Sequence, residues 1–312
     1  MSDKSIKIIF FGNTDFSNPV LLKCAEVYNV SCVVTNQSKK MGRGQKLIDT
    51  PVKTLAQNQN LYILECNDLL DEEFINKIEN INPDLFVVVA YKILPKLLLS
   101  IPKYGAINLH SSLLPKYRGA APIQRAILGH EKITGVSTFL IEPKVDTGKI
   151  LEQVSYHIID QDNYGSISEK LSNMGADLVV SSIDKYLDKK IQPYCQDESL
   201  ATLAPKIKKE EFMINWKMSA SDIHAQIRAF SPYPGAYTML NGKRIKFFES
   251  ELIKNESSKR SGEVDVISND SFDIACTVES LRIHKVQMEG KKIMPAKDFI
   301  LGMPTLKDSR FN

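Results

Sequence analysis

The sequence predicts an α/β protein, a mostly parallel sheet with helices on both faces, followed by a small all-β domain. Three observations carry this. Apolar runs at 6–11 and 85–90 read as strands buried on both faces. Helical periodicity fills the stretches between such runs, the alternation of a parallel sheet. After residue 206 the pattern changes to short strands separated by turn signals.

Taken in order, the first run ends at Gly12, and residues 19–28 are helical. Residues 30–34 make the second strand. A helix is expected near 51–59 and a short strand at 62–64. Residues 71–81 are helical, with Asp71, Glu72 and Glu73 in the first turn, where the helix dipole favours acids. The 85–90 run is the next strand, then 106–110 and 135–141, the last followed by a loop at 145–148. Residues 167–187 form one long helix whose apolar stripe packs on the sheet. The turn at 12–16 is not GxGxxG, so no dinucleotide site is read there. Lys189, Lys190, Pro193 and Pro205 break the pattern and mark a linker. The predicted organisation is 1–188, a linker at 189–206, and 207–312. Asn241-Gly242, Ser261-Gly262 and Asn269-Asp270 are turn signals in the last part, and several short strands there suggest a small barrel.

At 312 residues, two domains are the expectation. No apolar run approaches the length of a bilayer span. The first residues have no signal-peptide layout, so a cytoplasmic protein is expected. Five scattered cysteines contain no CxxC pair, and the five histidines show no ligand spacing. Neither a disulfide framework nor a metal is expected. The net charge is +3. Residues 207–312 hold 17 Lys and Arg against 14 Asp and Glu, and the rest of the chain is balanced. That excess is too small to identify a nucleic-acid partner, so local clusters matter more.

The segment 106–119 is the most informative. Asn108 and His110 alternate with Ile107 and Leu109, so period 2 puts the two polar side chains on one face of a strand. An amide can donate to a developing oxyanion, and an imidazole moves protons near neutral pH. Asp146, in the 145–148 loop, could orient the imidazole if the fold brings it alongside. Asn, His and Asp without a partnered Ser or Cys nucleophile suggest direct acyl transfer. A buried, hydrogen-bonded histidine and a turn-forming aspartate fit the same spacing, which does not separate the two. The loop 38–46 carries Lys39, Lys40, Arg43 and Lys46, with Gly42 and Gly44 between them and no acid. It suits a polyanion, or it is a solvated basic loop.

Asn108-Leu-His110, Ser112-Leu-Leu-Pro115 and Asp146-Thr-Gly148 together resemble the formyltransferases that use 10-formyltetrahydrofolate. The longer string from Ser112 to Gln124 resembles the branch that acts on methionyl-tRNA. The resemblance runs over nearly the whole chain, is most specific at 108–124 and is loosest in the last part. It implies a Rossmann-like sheet and an OB-like barrel. It implies catalysis by Asn108, His110 and Asp146, through direct attack of the amine and a tetrahedral intermediate. The formyl donor, 10-formyltetrahydrofolate, would meet Ile93, Leu94, Ser112, Leu113, Leu114 and Pro115. Lys92 stands where the family more often has glycine. Arg118 would continue the cleft rim.

The acceptor implied is initiator Met-tRNA, and a monomer is expected. Lys39, Lys40, Arg43 and Lys46 would reach the acceptor end of the tRNA. Formyltransferases of small nucleotides lack that loop. Lys206, Lys208 and Lys209 would line a basic channel between the domains. Lys243, Arg244 and Lys246 are a further candidate patch, whereas Trp216 and the 230–235 turn read as structural. The alternatives are a formyltransferase for a small amine or sugar nucleotide, a formyltetrahydrofolate hydrolase, and a non-catalytic RNA-binding protein.

Overall fold

The computed structural model describes residues 3–41, 45–254 and 257–312. The chain divides into two compact units. One comprises Met1–Pro122, Ile133–His157 and Ser168–Ala204; the other Ile123–Lys132, Ile158–Ile167 and Pro205–Asn312.

The first unit is built on seven strands: β1 (Asp3–Gly12), β2 (Tyr28–Thr35), β3 (Ile63–Glu65), β4 (Leu85–Val89), β5 (Ala106–His110), β6 (Ile133–Leu140) and β7 (Ile150–His157). Their spatial order is β7-β6-β5-β4-β1-β2-β3. β1 to β5 are parallel, and β6 and β7 add antiparallel beside β5. The apolar runs are central strands: residues 8–11 and 85–89 are all buried, as strands covered on both faces must be. Phe11, Val34, Phe86 and Val88 pack against Phe74, Ile75 and Ile78 of the helix Glu72–Ile81. That helix begins where Asp71 accepts the Phe74 N–H at 2.8 Å, and Glu72 and Glu73 fill its first turn. The long helix, Tyr164–Leu187, lies on the opposite face. A Cβ on its Gly175 would fall 2.3 Å from a Leu109 methyl, so glycine permits the close approach.

Two segments differ from the sequence reading. The basic loop is a hairpin, with Lys39–Met41 pairing antiparallel to Lys46–Ile48. Its base is held from outside. Ser38 donates to Asp49, and the Lys53 ammonium sits 2.9 Å from Asp49 and 2.7 Å from Glu65. Residues 189–204 are folded into the first unit. Tyr194 exchanges backbone hydrogen bonds with Ile150, and Leu203–Ala204 pairs parallel to Arg118–Gly119. These pairings satisfy backbone groups that the local sequence leaves unassigned.

The second unit is an antiparallel sheet of β8 (Ala236–Leu240), β9 (Lys243–Ile253), β10 (Val264–Ile267), β11 (Phe272–Ala275), β12 (Ser280–Met288) and β13 (Met294–Pro295). The order is β8-β9-β12-β11-β10, with β13 beside β12. Residues 309–312 bridge its two edges. Asn312 exchanges two backbone hydrogen bonds with Met239 of β8, while Ser309 and Phe311 bond Val264 and Gly262. The tail thus links the two ends of the sheet order, closing it into a barrel. Asn241 and Gly242 both take positive φ (49° and 74°) in the β8–β9 hairpin, as a two-residue turn requires. Trp216 is core: it packs on Phe247 and Phe311 and donates to Thr238 Oγ1 at 2.9 Å. No helix among the described residues is long and apolar enough to cross a membrane.

Candidate active site

Asn108 and His110 share a face because β5 alternates. Its register sets Asn108 beside Val88 of β4 and Phe139 of β6, and His110 beside Ser137. His110 is 7% exposed. Its Nε2 stands 2.8 Å from the Tyr117 carbonyl, which can only accept, so Nε2 carries a proton and the neutral ring has its lone pair on Nδ1. Nδ1 faces Asp146 Oδ2 at 3.8 Å. Among the described residues the Asn108 amide has no hydrogen-bond partner, which leaves its two N–H groups for a bound oxygen.

The chain after β5 is fixed by hydroxyls. Ser112 Oγ donates to Lys116 O at 2.6 Å. Ser137 of β6 donates to Ser112 O and accepts from Leu114 N, and Gln153 of β7 donates to Leu114 O. Ser112 and Leu114 are buried, while Leu113 and Pro115 are half-buried. In the strand that follows, Arg118 is buried too. Its guanidinium bonds Gln196 Oε1 and both carboxylate oxygens of Glu198, and the bond from Arg118 holds the Glu198 carboxyl below the usual range. Arg118 therefore braces the loop instead of presenting a free cation at a cleft rim.

Asp146 sits in the left-handed region at φ 52°. Its Oδ2 accepts the Gly119 N–H at 2.8 Å, and Gln196 Nε2 donates to the Asp146 and Gly148 carbonyls at 2.9 and 2.8 Å. Gly148 is tightly placed, since a Cβ there would fall 1.7 Å from Leu140 O. Carboxylate and imidazole, 36 residues apart in sequence, are brought together by the loop that follows β6. No local signal marks Gln196 or Glu198.

The remaining site residues fall as follows. Ile93 is 70% exposed, whereas Leu94 is buried in the core with Leu98 and Phe86, so the two do not form one wall. Ala90, not Lys92, takes the positive φ in this turn, so no glycine is required at 92. The Lys92 ammonium instead donates to the Cys66 and Asn67 carbonyls. Lys39, Lys40 and Lys46 are exposed on the hairpin, and Arg43 lies outside the described residues. In the second unit Lys206, Lys208 and Lys209 are exposed. The third candidate patch is partly committed. Lys246 donates to Pro234 O, with burial pulling its pKa down, and Arg244 lies over the Tyr237 ring. Among the described residues no group of three His, Cys, Asp or Glu is placed to hold a metal.

An amide and an imidazole on β5 thus lie together with a carboxylate from the loop after β6, on an α/β sheet. The chain belongs to the formyl transferase family: residues 6–183 match the formyl transferase domain and 206–304 the formyl transferase C-terminal domain. Within that family it is similar to methionyl-tRNA formyltransferase of Clostridium novyi, 40% identical over 95% of this chain and 97% of the relative. It is also similar to that of Thermodesulfovibrio yellowstonii, 44% identical over 95% of each. The fold resembles the structure of methionyl-tRNA formyltransferase from Clostridium thermocellum, with a TM-score of 0.56 and 19% identity over 80% of this chain and 95% of that one.

Proposed function

We propose that this chain transfers the formyl group of 10-formyltetrahydrofolate to the α-amino group of methionine on charged initiator tRNA, Met-tRNA. The observation that carries the reading is the 40% and 44% identity to methionyl-tRNA formyltransferases across 95% of the chain. The donor chemistry at the end of β5 supports it. The Ser112 hydroxyl is buried and committed to the Lys116 carbonyl, which favours direct transfer over a formyl-serine.

When bound, 10-formyltetrahydrofolate supplies the formyl group. The neutral amine attacks the formyl carbon, a carbon–nitrogen bond forms to methionine, and the bond to the folate nitrogen breaks. Asn108 donates to the formyl oxygen as it gains charge. His110 takes the proton that leaves the amine on its Nδ1 lone pair and passes it to the departing nitrogen. Asp146 orients and electrostatically supports the ring. Ile93, Leu113 and Pro115 offer apolar surface to the donor, and Leu94, Ser112 and Leu114 shape it from beneath. Lys39, Lys40, Arg43 and Lys46 of the basic segment 38–46, and Lys206, Lys208 and Lys209, meet tRNA phosphates. In this reading 1–188 is catalytic, 207–312 binds tRNA, and the protein works as a cytoplasmic monomer.

The test is formyl transfer to Met-charged initiator tRNA, run beside Met-charged elongator tRNA and free methionine. Rapid transfer confined to the initiator is the expected result. Donor turnover with formate release and no formylated RNA would return the hydrolase.

A further inference from the structure

Asp146 is held by more than its own loop. Gln196 spends both of its N–H groups on backbone carbonyls of that loop, Asp146 O at 2.9 Å and Gly148 O at 2.8 Å. Its Oε1 accepts from Arg118 Nε at 3.0 Å and Nη2 at 2.7 Å. Arg118 is in turn clamped by Glu198, and its neighbour Gly119 donates to the Asp146 carboxylate. Gln196 and Arg118 are both buried. Every donor and acceptor of this carboxamide is used, and its two ends grip the two segments that meet at the carboxylate.

A primary amide is the side chain that can do this. It donates twice on one side and accepts on the other, so it joins two carbonyls to a guanidinium. A carboxylate of the same shape satisfies Arg118 but opposes the two carbonyls. An apolar side chain satisfies neither. The strain adds to the requirement, because Asp146 at φ 52° is held in a conformation that non-glycine residues rarely adopt. Gln196 lies between the two family-matched regions, in the stretch that the sequence marks only as a linker.

We propose that Gln196, braced by Arg118, is a positioning residue for the reaction. It sets Asp146 against His110 from a segment separate from both the strand and the loop that carry them. The proposal rests on the catalytic reading of Asp146 given above, and its test separates the two. Gln196→Glu, Asp146→Asn and the double variant are assayed in the full chain with 10-formyltetrahydrofolate and Met-charged initiator tRNA, across pH 5.5 to 9, beside thermal melts.

The expected result for Gln196→Glu is a fall in kcat of about 10- to 100-fold, with KM for the donor changed less than about twofold. Its kcat–pH profile shifts in the same direction as that of Asp146→Asn, and the double variant is no worse than Asp146→Asn alone. A purely structural role for Gln196 would lower the melting temperature and leave the profile unmoved. A silent Gln196→Glu beside an impaired Asp146→Asn overturns the positioning role and leaves the reading of Asp146 intact. A silent Asp146→Asn overturns both. If Gln196→Glu does not fold, Gln196→Met, which keeps the stem and removes both hydrogen-bonding ends, goes through the same assay with the same criteria.

Discussion

Asp146 Oδ2 stands 3.8 Å from His110 Nδ1 while it accepts the Gly119 N–H at 2.8 Å. The carboxylate is thus anchored by backbone first, and reaches the imidazole as a neighbouring charge instead of a direct hydrogen-bond partner. The charge and the ring are set by different elements, the loop after β6 and the end of β5.

Asn108 offers an unpaired amide to whatever oxygen binds beside it. Asn108→Ala is expected to lower kcat by about 100- to 1000-fold, the usual cost of one oxyanion donor. Its melting temperature should stay within a few degrees of the parent, since the substitution removes no internal hydrogen bond of that side chain. Steady-state kinetics beside a thermal melt measure both. An Asn108→Ala enzyme with parental kcat would remove the amide from the chemistry.

The hairpin carries cations on an anchored base. Replacing Lys39, Lys40 and Lys46 with Gln should weaken Met-tRNA binding and flatten its salt dependence by roughly 0.7 to 0.9 in log–log slope for each phosphate that is no longer neutralised. KM for the formyl donor should not move. Filter binding over a salt series gives the slope, and a parallel loss of donor affinity would assign the hairpin a structural role instead.

Gly148 has no space for a side chain, because the intruding atom would meet the Leu140 carbonyl, which is backbone. Gly148→Ala should cost roughly 2 to 4 kcal/mol, as overpacking against an immovable group does. Urea unfolding provides the number. A cost below about 0.5 kcal/mol would mean that the 145–148 loop shifts freely.

His224 gives the barrel unit a pH dependence. Burial, with the Arg228 charge next, pulls its pKa down from 6.5 to about 4, and Nδ1 stands 2.9 Å from Ser250 Oγ. Between those values the unfolded chain binds the proton and the folded one does not, so stability falls as the pH drops from about 6.5 toward 4. The contribution is at most about 3 kcal/mol. Denaturation of His224→Gln and the parent at pH 7 and pH 5 measures it. The parent should lose more than the variant, and equal losses would place the titration elsewhere.

Much of this molecule is legible in its sequence. The runs at 6–11 and 85–90 hold central strands because nothing polar interrupts residues 8–11 and 85–89, which are all buried. Asp71 and the acids after it announce a helix start that the structure contains. Period 2 puts Asn108 and His110 on one face, and the motifs from 108 to 124 carry the family. The basic segment 38–46 reads as a loop because glycines interrupt it, and the pairing of 39–41 with 46–48 leaves no mark on the local pattern. Leu94 reads as a wall residue because its neighbours do not reveal which side of the turn faces the core.

What the sequence by itself determined are the features that short-range physics controls: strand and helix periodicity, caps, turn chemistry, the shared face of Asn108 and His110, and the family to which they belong. Only the tertiary structure decided which distant groups meet. Asp146 reaches His110 through the loop after β6, Gln196 reaches Asp146 from 50 residues further along, and the tail at 309–312 joins strands that lie well before it in sequence. The reason is physical. Periodicity records which side of an element is buried, but a hydrogen bond between separate segments leaves no mark on the local pattern of either one.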